Sequence, residues 1–132
     1  MRLGKGAHGA VPLVLVVEDD RDIREVIAEV LALAGYRTCT APNGRMALEQ
    51  ARVDRPDLIV LDLLMPVMNG WQFMEAQRRD PELATIPVVV VTAALDANAE
   101  GAAGFLQKPF DSDALLETTS RLCGRGNEHF LA

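Results

Sequence analysis

The 132 residues are 49% hydrophobic and 24% charged, with a net charge of −6; that is enough apolar material for one core, and a balance that excludes disorder. The negative charge argues against nucleic acid as the main partner, because phosphate binding needs a basic surface. The apolar stretch from Ala10 to Val17 is too short to span a membrane and is stopped by Glu18, Asp19 and Asp20, so no membrane segment is expected and the cytoplasm is the default location.

Residues 1–11 carry no periodicity and read as a flexible leader, leaving one domain over 12–124 and a short tail over 125–132. Leu13–Val17 is apolar at every position, as in a strand covered on both faces of a parallel sheet. Asp20 is placed to cap a helix whose Ile23, Val26, Ile27, Val30, Leu31 and Ala34 recur at helical spacing, with Gly35 as its stop. Tyr36–Ala41 alternates as a short strand toward an edge. Asn43 caps a second helix with Met46, Ala47, Leu48 and Ala51 on its apolar side, and Pro56 ends that element. Leu58–Leu61 forms a third strand and Gly70–Arg79 a third helix, in which Trp71, Phe73 and Met74 read as packing residues. Val88–Val91 is a fourth strand ending at Thr92, and Phe105–Gln107 a short fifth. Asp111 caps a last helix carrying Leu115, Leu116, Thr119 and Leu122. Strands alternating with helices give an open α/β sheet with right-handed crossovers. Cys39 and Cys123 fall in no metal-ligand spacing and are expected reduced and buried.

In such a sheet ligands bind beyond the carboxyl ends of the strands, near the point where strand order reverses. Four strands end at Glu18-Asp19, Asp62, Thr92 and Lys108. Three carboxylates at one sheet edge repel one another unless a cation neutralises them, and hard oxygen donors in that number suit Mg²⁺. Lys108 is the only lysine of the folded body, since Lys5 lies in the leader. Each residue alone has a plain explanation: an acid run that caps a helix, a strand-end threonine, a surface lysine. Their placement at one edge favours a metal and phosphoryl site centred on Asp62.

Val17-Glu18-Asp19-Asp20, Leu61-Asp62-Leu63-Leu64-Met65-Pro66, Thr92-Ala93 and Lys108-Pro109-Phe110 occur in that order, each at a strand's carboxyl end. Together they resemble the marks of response regulator receiver domains, the phosphoacceptor half of bacterial two-component signalling. The likeness runs from about Leu13 to Cys123. It implies an α/β, flavodoxin-like, doubly wound five-stranded parallel sheet in the order 2-1-3-4-5. By the same likeness Asp62 is the phosphoacceptor, Asp19 binds Mg²⁺ directly and Glu18 holds it through water. The backbone carbonyl of Leu64 is the remaining protein ligand. Lys108 contacts the phosphoryl oxygens and precedes an often cis bond to Pro109. Thr92 and Phe105 are the switch pair, and Ala93 leaves room for the phosphoryl group. The implied partners are a sensor histidine kinase or a histidine phosphotransfer protein upstream, and a downstream protein partner. With no second domain in view, the chain reads as a stand-alone receiver that controls a partner or passes the phosphoryl group onward.

The chain also departs from that family. Fifteen residues separate Thr92 from Lys108, about a turn and a half of helix fewer than relatives usually have. The crossover from Ala94 to Ala103 is near the lower limit of about 10–12 residues, and Gly101 and Gly104 weaken a helix there. A shortened fourth helix, reduced to a single turn or an irregular loop, is expected, which puts the usual output face in question. Leu64 and Ala94 stand where relatives tune hydrolysis of the acyl phosphate. Neither can orient an attacking water, so a long-lived phosphoryl group is expected. An aspartate-nucleophile phosphohydrolase would carry a second acid two residues after Asp62, where Leu64 stands. A flavin-binding module would need a Gly, Ser and Thr loop where Glu18-Asp19-Asp20 repels phosphate. A receiver-like domain that binds partners without switching is compatible with the short crossover.

Overall fold

A computed structural model describes residues 11–94 and 98–126; residues 1–10 of the expected leader and 127–132 of the expected tail lie outside them. Strands β1 (Leu13–Val17), β2 (Arg37–Ala41), β3 (Leu58–Asp62), β4 (Val88–Thr92) and β5 (Gly104–Gln107) form one parallel sheet in the order β2-β1-β3-β4-β5. Helices α1 (Arg21–Leu33), α2 (Gly44–Val53), α3 (Gly70–Arg78) and α4 (Ser112–Cys123) connect or follow them. The expected order is therefore the one observed, and strand order reverses at β1, which lies between β2 and β3.

Unbroken apolar strands make sense because both faces of the sheet are covered. Leu15, Val17, Ile59, Leu61, Val88 and Val90 pack with α2 and α3 residues such as Ala47, Leu48, Phe73 and Met74. Val14, Val16, Leu58, Val60, Val89 and Val91 pack on the other face with Ile27, Leu31 and Leu115. The helices start at side-chain caps. Asp20 accepts from the Asp22 and Ile23 amides, Asn43 from Met46 and Asp111 from Ala114. At α3 a capping box pairs Asn69 with Gln72.

Burial corrects some expectations. Ile27 and Leu31 are buried on α1, but Val26 is exposed, as is Met46 on α2. Both stand at the margin of an apolar stripe wider than the sheet surface beneath it. Phe73 and Met74 are core, whereas Trp71 is 40% exposed. The two cysteines are free and only half-buried, Cys39 because β2 is an edge strand and Cys123 because it ends α4.

Between β4 and β5 the described residues hold no helix. Ala102 donates its amide to the Ala99 carbonyl at 3.0 Å, which closes one turn, and Gly101 adopts a φ of 92° that favours glycine. Residues 95–97 lie outside the described set. Ala99 and Ala102 pack against the cluster that contains Val88 and Val90, adding to the cover that α2 and α3 residues give it. Phe105, next along this face, is 45% exposed.

Candidate functional site

Register builds the site. Val17 pairs with Leu61, and Asp62 with Val91, so Glu18 and Asp62 leave neighbouring strands at nearly the same height. Thr92 pairs with Gln107, which sets Lys108 just beyond the end of β5. The carboxylate oxygens of Glu18, Asp19 and Asp62 come within 4.8 Å of one another. Glu18 is 1% exposed and Asp62 4%, whereas Asp19 faces solvent.

Lys108 Nζ donates to Glu18 Oε1 at 2.6 Å and lies 3.6 Å from Asp62 Oδ2. The Leu64 amide donates to Asp62 Oδ1 at 3.3 Å and the Asp20 amide to Glu18 Oε2 at 3.2 Å. Lys108 is itself tied to β4 through its own amide, which donates to the Thr92 carbonyl at 2.8 Å, and the Lys108–Pro109 bond is cis. Burial pushes the Glu18 carboxyl up to about 7; the Lys108 hydrogen bond draws it back and neighbouring Asp62 raises it again. Burial alone would lower the Lys108 ammonium, but Glu18 and Asp62 together hold it above its ordinary range. One ammonium among three carboxylates leaves negative charge for a further cation to offset. The donors are all oxygen, and exposed Asp19 leaves the site open to water, which fits Mg²⁺ with its retained hydration.

Thr92 is fully buried, and its hydroxyl accepts the Ala94 amide at 3.1 Å. Phe105 pairs with Val90 on the adjacent strand. Ala93 and Lys108 open onto an apolar groove of about 540 Å³, lined also by Ile23, Val26, Pro109 and Phe110. Two supports went unread in the sequence. Arg24 donates to the Glu18 carbonyl at 2.9 Å, bracing the β1–α1 turn. The Trp71 indole donates to the Asn98 carbonyl at 2.6 Å. A capping box at Asn69-x-x-Gln72 is legible from spacing; the Arg24 and Trp71 contacts depend on tertiary approach and leave no pattern.

An acidic cleft at the carboxyl edge of a five-stranded 2-1-3-4-5 sheet, with one lysine reaching into it, defines a signalling domain of the receiver class. The chain belongs to the response regulator receiver domain family, whose model matches residues 14–120. It is 31% identical to Protein PilH of Pseudomonas aeruginosa, over 80% of this chain and 92% of that one. It is 38% identical to hybrid signal transduction histidine kinase D of Dictyostelium discoideum over 80% of its own length, but spans only 7% of that protein. The fold is similar to that of chemotaxis protein CheY4 of Vibrio cholerae, with a TM-score of 0.79 and 36% identity over 86% of this chain and 99% of the other. Among the described residues no helix is long and apolar enough to cross a membrane.

Proposed function

We infer that this domain accepts a phosphoryl group on Asp62 from a phosphohistidine donor, with Mg²⁺ bound, and that the acyl phosphate controls a protein partner in the cytoplasm or is passed onward. The observation that carries this reading is the placement of Lys108 Nζ between Glu18 Oε1 and Asp62 Oδ2 inside a three-carboxylate cluster. A carboxylate oxygen of Asp62 attacks phosphorus and the new O–P bond forms as the P–N bond breaks. The electron pair returns to the imidazole nitrogen, which takes up a proton as it leaves. Lys108 is within reach of oxygens on the transferred group, where charge spreads in the transition state. Glu18, Asp19, Asp62 and the Leu64 carbonyl would hold Mg²⁺, which supplies electrostatic stabilisation of those oxygens when bound. Thr92, one residue beyond the partner of Asp62 in β4, supplies a hydroxyl that responds to the added charge, with Phe105 as the second member of the pair. The apolar groove beside Lys108 supports a protein donor, a sensor kinase or histidine phosphotransfer protein, docking along α1.

The test is incubation with a small acyl phosphate and Mg²⁺ followed by intact mass measurement. One phosphoryl adduct is expected in the wild type and none in Asp62→Asn. Absence of an adduct from both small donors and phosphorylated kinase contradicts the reading. A second reading, a partner-binding domain that does not switch in the usual way, draws support from the crossover between β4 and β5, whose described residues hold no helix. It predicts an adduct without any change in partner affinity.

A further inference from the structure

The acids that follow β1 stand where the sheet stops pairing. The register of β1 with β3 ends at Val17 and Leu61, and the Glu18 amide makes one further bond, to the Ala41 carbonyl at 3.1 Å. The Glu18 and Asp19 carbonyls lie beyond that ladder, and α1 takes them up. Arg24 Nη1 donates to the Glu18 carbonyl at 2.9 Å and reaches the Asp19 carbonyl at 3.5 Å. The Arg24 amide donates to the Asp20 carbonyl at 2.9 Å. One half-buried residue thus holds the backbone of three consecutive acids. The Glu18 carboxylate is fixed in addition by Lys108 and the Asp20 amide. Asp19 is exposed, and its carboxylate takes its direction from the backbone that Arg24 braces.

We propose that Arg24 is a positioning residue for the cation site: by fixing the Glu18 and Asp19 carbonyls it sets where their carboxylates point, and with that the affinity for Mg²⁺. The proposal rests on the reading of Glu18, Asp19 and Asp62 as Mg²⁺ ligands. Arg24 acts through its hydrogen bonds, because its charge works the other way. A guanidinium this near the acids repels a second cation, so charge alone would make Arg24 a hindrance to Mg²⁺. Methionine at this position keeps an apolar stem and removes both charge and donors. Lysine keeps the charge and loses the planar guanidinium and its reach. The two substitutions therefore separate the two effects.

The test titrates Mg²⁺ alone into the metal-free whole chain by calorimetry. Arg24→Met is expected to raise the Kd by roughly tenfold, as loss of an outer-shell support does, and Arg24→Lys to raise it as well. Tighter binding in Arg24→Met with unchanged binding in Arg24→Lys is the mark of a charge effect and overturns the proposal, as does unchanged affinity in both. A second measurement follows adduct formation with a small acyl phosphate across Mg²⁺ concentrations. The half-saturating Mg²⁺ concentration should rise with the Kd, while the rate at saturating Mg²⁺ stays within about twofold. A lower saturated rate at an unaltered half-saturation point marks a general structural role and overturns the positioning. If Arg24→Met does not fold, Arg24→Lys decides by the same two measurements. If the wild type binds no Mg²⁺, the cation-site reading and the inference fail together; if it binds and both variants match it, the inference alone fails.

Discussion

Leu64 and Asp62 are two residues apart, yet Asp62 is 4% exposed and Leu64 55%. The Leu64 amide is turned to Asp62 Oδ1, while its side chain borders solvent with no polar group to hold a water. Ala94, two residues after Thr92, offers none either. Hydrolysis of an acyl phosphate needs a water aligned on phosphorus, and neither residue can supply that alignment. Once donor is removed, the phosphoryl group on isolated, Mg²⁺-loaded protein should therefore persist for minutes or longer by intact mass. Loss within seconds would contradict this. Glu18 teaches a related lesson about burial. At 1% exposure, its carboxylate is tolerable because Lys108 and the Asp20 amide donate to it, while neighbouring Asp62 works against the charge.

At the scale of elements, α3 matters more than its nine residues suggest. Its first turn lies so close to the end of β3 that only glycine fits at position 70, the obstructing atoms being backbone rather than a flexible side chain. Gly70→Ala must push the helix away from the Asp62–Leu63 peptide. An overpacking cost of about 1–3 kcal/mol is expected in denaturant unfolding, together with slower adduct formation, because the displaced backbone is the one that carries Asp62. Unchanged stability would mean that α3 is not seated as described. The crossover shows the opposite economy. A single turn at Ala99–Ala102 packs against the cluster that contains Val88 and Val90, and Phe105 is left partly in solvent.

Across the whole molecule, a contact between distant parts of the chain closes the fold. The Tyr36 hydroxyl, just ahead of β2, donates to the Gly124 carbonyl beyond α4 at 2.7 Å. Burial, with Cys123 nearby, pushes the phenol from 10.0 up to about 12. A group whose pKa is raised on folding contributes stability that is fully present below its unfolded value and is lost as pH rises through its folded one. The Tyr36 contribution should therefore hold up to about pH 10 and disappear by about pH 12. As the only tyrosine, Tyr36 can be followed by its ultraviolet absorbance. A midpoint near 10 in the native protein would show the phenol to be solvated and the tie absent.

Sequence by itself determined the order of elements, the caps at Asp20, Asn43 and Asp111, and the arrival of Glu18, Asp19, Asp62, Thr92 and Lys108 at strand ends. These follow from local physics: apolar runs demand burial on two faces, and polar residues that end such runs must emerge at the sheet's carboxyl edge. The shortened crossover was legible too, because few residues lie between Thr92 and Lys108 and Gly101 and Gly104 are among them; among the described residues no helix forms there. Only the tertiary structure decided how those ends meet. The cross-strand register brought three carboxylates within 4.8 Å and gave Lys108 to Glu18 as its shortest partner rather than to Asp62. It also left Val26 and Met46 outside the core and turned Trp71 from packing residue to hydrogen-bond donor. Such contacts join residues far apart in the chain, so no spacing within a single element encodes them.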